Sequence, residues 1–272
     1  MLIGLVGKPS VGKSSFFKSA SLADVDIANY PFTTIKPNRG AGHVKIRQGS
    51  LEFKKNDNPR EGYVRGEFRF VPVELMDVAG LVPGASNGEG MGNQFLDDLR
   101  QADILIHVID ASGSTNAKGE SVDPLSYDPA EDIKFLEVEL DLWYEGILKR
   151  GWDRFSKTVQ QTHAKIEDAL AKQLSGLGVT EVVVADAVNA LKLDNEKVTT
   201  WSEEDLRNLS TELRKATKPM VIAANKADVK GAMDNVIRLQ KEFPDYKIIP
   251  CTADFELALR EADKHKMLNY VP

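Results

Sequence analysis

Gly7-Lys8-Pro9-Ser10-Val11-Gly12-Lys13-Ser14 stands immediately behind the apolar run Leu2-Ile3-Gly4-Leu5-Val6. As a pattern it reads G-x-x-x-x-G-K-S, and strand, Gly-rich loop and helix start are the context that a phosphate-cradling loop requires. Glycine at both ends lets the backbone turn its N–H groups toward one centre, where the helix dipole favours the same negative charge. Lys13 has the reach to meet terminal phosphates, and Ser14 offers a hydroxyl to Mg2+. The cradle is assigned to Gly7, Lys8, Pro9, Ser10, Val11, Gly12, Lys13, Ser14 and Ser15. A glycine-rich turn without that task is the competing reading; complete spacing after an apolar strand argues against it.

Outward from this loop, further apolar runs read as strands. Phe68 to Met76 delivers Asp77 to a strand end; Ile104 to Ile109, Pro219 to Ala224 and Tyr246 to Pro250 follow. Helical signals between several of them predict an α/β fold with a mainly parallel sheet and its active loops at the C-terminal edge. His43 to Arg47 and Leu51 to Phe53 are expected to pair as a hairpin turning at Gly49-Ser50, with a polar loop from Asn56 to Gly66.

The section between the strands at 104–109 and 219–224 is longer than a sheet crossover needs. Asp128-Pro129-Ala130-Glu131 reads as an N-cap, a first-turn proline and an acid at N3. Ile133, Leu136, Leu140, Trp143 and Ile147 continue on one stripe, and Phe155, Val159, Thr162, Ile166, Leu170 and Leu174 on a second. They predict an inserted helical hairpin, with coiled-coil-like pairing as one form of it. Val179 to Ala185 reads as a short strand, and Ser202-Glu203-Glu204-Asp205 as the start of a helix bearing Leu206, Leu209 and Leu213. Residues 1–127 and 204–272 are thus expected to form the nucleotide-binding domain, and 128–203 an inserted helical subdomain.

At 272 residues with 42% apolar and 28% charged side chains, the chain is large enough for a main domain and a smaller one. Neither a transmembrane run nor a signal-peptide core is visible. One cysteine, Cys251, rules out an intrachain disulfide framework and fits a cytoplasmic location. His43, His107, His163 and His265 lack the spacing of a zinc site. A net charge of -6 argues against indiscriminate polyanion binding and indicates no DNA specificity. The charge leaves room for a local RNA- or ribosome-facing patch, for which Lys36 with Arg39 and Lys149-Arg150 with Arg154 are candidates; solvated charge is the competing and favoured reading of both groups.

Two later signals sharpen the ligand. Asp77-Val78-Ala79-Gly80 places an acid where it can hold a Mg2+-bound water and a glycine N–H where it can approach a γ-phosphate. Alone, D-x-x-G also occurs in surface turns. Asn225-Lys226-Ala227-Asp228 then follows a buried strand. The Asp228 carboxylate can accept from the ring N–H and the exocyclic amine of guanine, a donor pair that adenine lacks. Asn225 can secure the loop or contact the base, and the Lys226 stem can cover its face.

In this order of motifs the chain resembles the Obg-related GTPases, particularly their YchF/Ola1-like branch. The resemblance runs through Tyr30-Pro31-Phe32-Thr33-Thr34-Ile35-Lys36-Pro37-Asn38, Asp77 to Ala85, Gly90 to Arg100 and Asn225 to Asp228. It implies a P-loop NTPase G domain that hydrolyses GTP to GDP and phosphate as a conformational switch. Ribosome or ribosomal-RNA association and a small β-rich TGS domain beyond Pro272 are implied as well. Thr34 matches the first-switch threonine that coordinates Mg2+, with Thr33 as its neighbouring alternative. Cys251-Thr252-Ala253 looks like the last guanine-contacting loop, with Thr252 and the Ala253 backbone against the base. Many members of the branch carry an altered base motif and favour ATP, or use both nucleotides; Asp228 within N-K-A-D points to GTP here.

The assigned metal ligands are Ser14, Thr34 and Asp77, and the catalytic set is Lys13, Thr34, Asp77 and Gly80. Leu81 stands where many small GTPases carry a water-positioning glutamine, so turnover would rest on the loop backbone, Mg2+ and a closed state. K+ assistance is a further option, although some GTPases that use it carry asparagine where this chain has Ser10. His107 and Glu89 have no spacing that marks a general base. Strand packing and solvation, respectively, are expected of them.

Overall fold

A computed structural model of the protein describes residues 1–21, 39–78 and 98–272. Thr33, Thr34, Gly80, Leu81, Gly84, Gly88, Glu89, Gly90 and Gly92 lie outside the described residues.

The apolar run Leu2–Val6 forms β1, buried along its whole length. The helix expected after the Gly-rich loop is α1, Lys13–Ser21. Five strands follow the order β4-β1-β5-β6-β7, with β4 Phe68–Asp77, β5 Ile104–Asp110, β6 Met220–Asn225 and β7 Lys247–Pro250. All neighbours in that series are parallel, with Leu5 opposite Asp77, Val6 opposite His107 and Asp110 opposite Asn225. Each strand therefore ends on the same edge. Ile3, Leu5, Val73 and Leu75 form the core on one side, joined by Phe16 and Phe17 of α1.

Two antiparallel strands extend the sheet beyond β4: β2, Arg39–Arg47, and the short β3, Tyr63–Arg65. The hairpin expected between 43–47 and 51–53 does not form, because β2 pairs instead with β4 from Arg39 opposite Met76 to Arg47 opposite Phe68. Gly49–Phe53 is a 3-10 turn, closed where the Asp57 carboxylate accepts the Ser50 N–H at 3.0 Å. The expected loop over 56–66 contains β3, whose Tyr63 ring stacks on Phe70 at 4.6 Å. That cross-strand aromatic contact outweighs the flanking glycines that mark a loop.

The described residues divide into two compact units, one of 1–21, 39–78, 104–132 and 220–272, the other of 98–103 and 133–219. The second unit is helical. α2, Ala130–Lys149, begins where the Asp128 side chain accepts the Ala130 N–H at 2.9 Å, and buries Ile133, Leu136, Leu140 and Trp143. The second stripe is divided between α3, Trp152–Thr162, and α4, Ile166–Gln173, because the chain turns left-handed at His163 with φ 50°. No glycine or proline marks that break.

Val179 to Ala185 is not a strand. α5 runs over Glu181–Ala190, with Thr180 as N-cap and Val184, Ala187 and Val188 buried on one face. Helix packing overrides the β-preference of three consecutive valines. α6, Glu203–Thr217, starts in a capping box in which Ser202 and Asp205 satisfy each other's backbone N–H. Its Arg214, 2% exposed, pairs with Asp141 at 2.7 Å. The remaining helices of the first unit are α7, Ala232–Glu242, and α8, Ala253–Lys264. Among the described residues no helix is long and apolar enough to cross a membrane.

Candidate functional site

The predicted motifs of the first unit converge on the C-terminal edge of its parallel strands. Gly7 leaves β1, Asp77 ends β4, Asn225 ends β6, and Cys251 follows β7. Ligands of open α/β sheets gather at that edge.

Backbone geometry explains the glycines of the loop. Gly12 has φ 89°, and a Cβ there would lie 2.2 Å from the Asn225 side-chain nitrogen. A Cβ on Gly7 would lie 2.4 Å from the Val108 carbonyl oxygen. Between them Val11 is fully buried against Val108 and Ala223, which anchors the loop on the sheet. The Phe16 N–H donates to the Gly12 carbonyl at 2.9 Å and opens α1. A shallow cavity of about 330 Å3 is lined by Lys8, Pro9, Ser10, Gly12, Lys13, Ser14 and Ser15. The Ser14 hydroxyl is exposed at its mouth and Ser15 is half-buried.

Lys13 and Asp77 are brought together. The ammonium pairs with the Asp77 carboxylate and also donates to the Val78 carbonyl at 2.7 Å. One cation thus ties the start of α1 to the end of β4.

Asn225, 3% exposed, holds three segments in register. Its side-chain amide donates to the Val11 carbonyl at 2.8 Å, and its side-chain oxygen accepts the Ala253 N–H at 2.9 Å. Its backbone carbonyl accepts the Ala111 N–H at 2.9 Å. The Ala227 N–H donates to the Cys251 carbonyl at 3.1 Å, so the N-K-A-D and Cys251-Thr252-Ala253 loops form one surface. Thr252 is half-buried there, and the Asp228 carboxylate is exposed and makes no hydrogen bond among the described residues. Burial pushes the Cys251 thiol up to about 12, which keeps it a small neutral packing group.

A buried polar layer beneath these loops is absent from the sequence reading. Asp110, at the end of β5, has no exposed surface, and its carboxylate accepts from the Ser112, Ser114 and Thr115 hydroxyls and the Lys226 ammonium. Burial would raise its pKa, but the Lys226, Ser112 and Ser114 hydrogen bonds hold it below the usual carboxylate value. Lys8 turns its side chain away from the cavity: its ammonium donates to the Thr115 carbonyl at 2.9 Å, pairs with Asp132 at 2.9 Å, and sits 3.7 Å from the Tyr127 ring centre. Lys8 can therefore serve a phosphate through its backbone N–H, not its ammonium. The legible signal was an acid ending an apolar strand, Ile104 to Asp110, ahead of Ala111-Ser112-Gly113-Ser114-Thr115.

His107 packs in the sheet, 2% exposed, where burial and then the Lys8 charge push its pKa down to about 3. It is a neutral core histidine, as its strand position implied. A larger cavity of about 870 Å3 lies in the helical unit, between residues that include Val159, Ile166, Val182 and Val198, and no predicted site residue lines it.

The donor set suits a hard cation and a phosphate. The Ser14 hydroxyl and Asp77 carboxylate are oxygen donors of the kind a hard cation takes, and Lys13 pairs with Asp77. Among the described residues no three His, Cys, Asp or Glu side chains gather into a metal cluster. A Mg2+ ion would therefore rely on phosphate oxygens as well as the protein.

Residues 2–137 match the family model of the 50S ribosome-binding GTPases, and 223–272 that of the G4 motif-containing domain of Obg-like, YGR210-like GTPases. A GTP-binding protein of Methanocaldococcus jannaschii is 49% identical over 97% of this chain, which covers 65% of that relative. The ribosome-binding ATPase YchF of Mycoplasma genitalium is 33% identical over 91% of this chain and 62% of its own length. The chain thus spans about two thirds of the relatives it matches. A crystal structure of a GTP-binding protein from Pyrococcus horikoshii superposes with a TM-score of 0.83 at 40% identity, over all of this chain and 70% of that one. The chain belongs to the Obg-related P-loop GTPases, in their YchF/Ola1-like branch.

Proposed function

We propose that this member of the Obg-related family binds a Mg2+-nucleoside triphosphate and hydrolyses its terminal phosphate, with GTP as the preferred nucleotide. The observation that carries the reading is Asn225, which ties the phosphate loop at Val11 to the two base-side loops at once. A triphosphate on the Gly7–Ser14 loop would then present its base to Asp228, whose exposed carboxylate matches the two donors of guanine.

Mg2+ would neutralise charge on the phosphate oxygens, held by Ser14, Thr34 and, through water, Asp77. Lys13 would stabilise charge developing on the terminal phosphate, exchanging its contacts with Asp77 and the Val78 carbonyl for phosphate oxygens. Gly80 would report the γ-phosphate to the segment that follows. With Leu81 unable to orient water, isolated turnover is slow and closure by a partner speeds it.

The chain acts in this reading as a ribosome-linked switch, in keeping with the names of its relatives, the ribosome-binding ATPases YchF. Those same names support a second reading, hydrolysis of ATP or of both nucleotides. A nucleotide-stabilised scaffold with negligible turnover is the competitor from another class, and only a switch predicts different partner affinity in the GDP and GTP-analogue states. Phosphate release from Mg2+-GTP, with and without K+, tests the proposal. Slow release that Lys13→Ala abolishes is expected. Fast partner-free release would overturn the slow switch, and none at all would leave the scaffold.

A further inference from the structure

We infer that Asp110 is a positioning residue for nucleoside binding: by fixing the Lys226 ammonium from beneath, it sets the shape of the base-side loop. The inference rests on the nucleotide-site reading and extends it to a residue outside every motif.

The geometry is specific. Asp110 ends β5 beside Asn225 in the parallel register, which puts it next to the first residue of N-K-A-D. One carboxylate oxygen accepts the Lys226 ammonium at 2.8 Å and the Thr115 hydroxyl at 2.9 Å. The other accepts the Ser112 N–H at 3.0 Å and its hydroxyl at 2.5 Å. Lys226 itself sits at φ 60°, a left-handed conformation that a lysine holds only when its surroundings impose it. The ion pair is one such restraint, and the Ala227 N–H on the Cys251 carbonyl is another. Thr115 carries the connection onward, because its carbonyl accepts the Lys8 ammonium of the phosphate loop. Asp110 itself makes no hydrogen bond or ion pair to a residue lining the phosphate-side cavity and reaches Lys8 only through Thr115, so its direct effect belongs to the nucleoside half of the ligand.

A double-mutant cycle tests this, with Asp110→Asn, Lys226→Met and the pair together. The readouts are equilibrium binding of Mg2+-GTP, Mg2+-ATP and inorganic tripolyphosphate. Asparagine keeps the shape and an acceptor for the hydroxyls but removes the charge that holds Lys226. Asp110→Asn is expected to weaken binding of the favoured nucleotide about tenfold, the scale of one charge-assisted hydrogen bond, while tripolyphosphate binding is unchanged. In the Lys226→Met background the same substitution should have no further effect. Lys226→Met alters a half-exposed side chain and so keeps the cycle readable if Asp110→Asn lowers the melting temperature. Equal losses in both backgrounds, or an equal loss for tripolyphosphate, would overturn the positioning role. A wild type that binds tripolyphosphate but neither nucleotide would overturn the site reading, and this inference with it.

Discussion

The side-chain amide of Asn225 donates to the Val11 carbonyl at 2.8 Å, across 214 residues of chain, and so fastens the phosphate loop to the end of β6. The opposite atom of the same amide accepts the Ala253 N–H. Asn225→Ala would leave one buried carbonyl and one buried N–H without partners. That costs about 2 to 4 kcal/mol of stability, read by urea unfolding, and nucleotide affinity should fall with it. An Asn225→Ala variant as stable as wild type would contradict the fastening role.

Gly12 leaves room for that contact. Alanine there meets the Asn225 nitrogen and must also hold φ 89°. Gly12→Ala should lose about 2 kcal/mol or more by backbone strain and overlap together, seen as a lower thermal midpoint. In the Asn225→Ala background the overlap is gone and only the dihedral strain remains. The loss from Gly12→Ala should therefore be smaller in that background.

His107 gives the chain an acid-sensitive stability. Its folded pKa is about 3, against 6.5 for the unfolded residue, so between those values the unfolded state binds a proton that the native state refuses. Stability contributed by the neutral ring is complete above pH 6.5. It is lost as pH falls toward 3, by about 1.4 kcal/mol per pH unit. His107→Gln should flatten that part of the pH–stability curve in chemical denaturation. An unchanged acid slope would show that other groups carry it.

Cys251 should resist alkylation. Its half-buried thiol is pushed up to about 12 by desolvation, so little thiolate exists at pH 8. Iodoacetamide should modify the native protein far more slowly than the urea-unfolded chain, as read by intact mass. Equal rates would contradict its packing against Val11, Val108 and Ala223.

Where one apolar strand ends in one chemical motif, the sequence located the strand end and the side chain that stands on it. β1 is buried along its whole length and β6 at all but one residue, and such apolar runs are legible; β4 is only partly buried, and Leu75-Met76 at its end mark Asp77. Legibility failed where tertiary partners decide. Leu51 to Phe53 has the composition of a strand, yet β4 was already paired with β2, and the three valines at 182–184 turned helical to bury one face. The break at His163 carries no turn residue at all. Lys8 was legible as part of the loop, but the direction of its ammonium depends on Asp132 and Thr115, more than 100 residues away. Asp110 is a single acid after a strand, and no spacing announces it.

The base assignment rests on Asp228, and one competition experiment tests it most directly. Mg2+-GTP and Mg2+-ATP are titrated against a fluorescent nucleotide on the wild type and on Asp228→Asn. The wild type should hold GTP more tightly than ATP, and Asp228→Asn should lose that preference through a weakening of GTP binding by about 2 to 5 kcal/mol. Wild-type affinity for ATP equal to or above that for GTP would contradict the guanine reading and give the site to ATP or to both nucleotides.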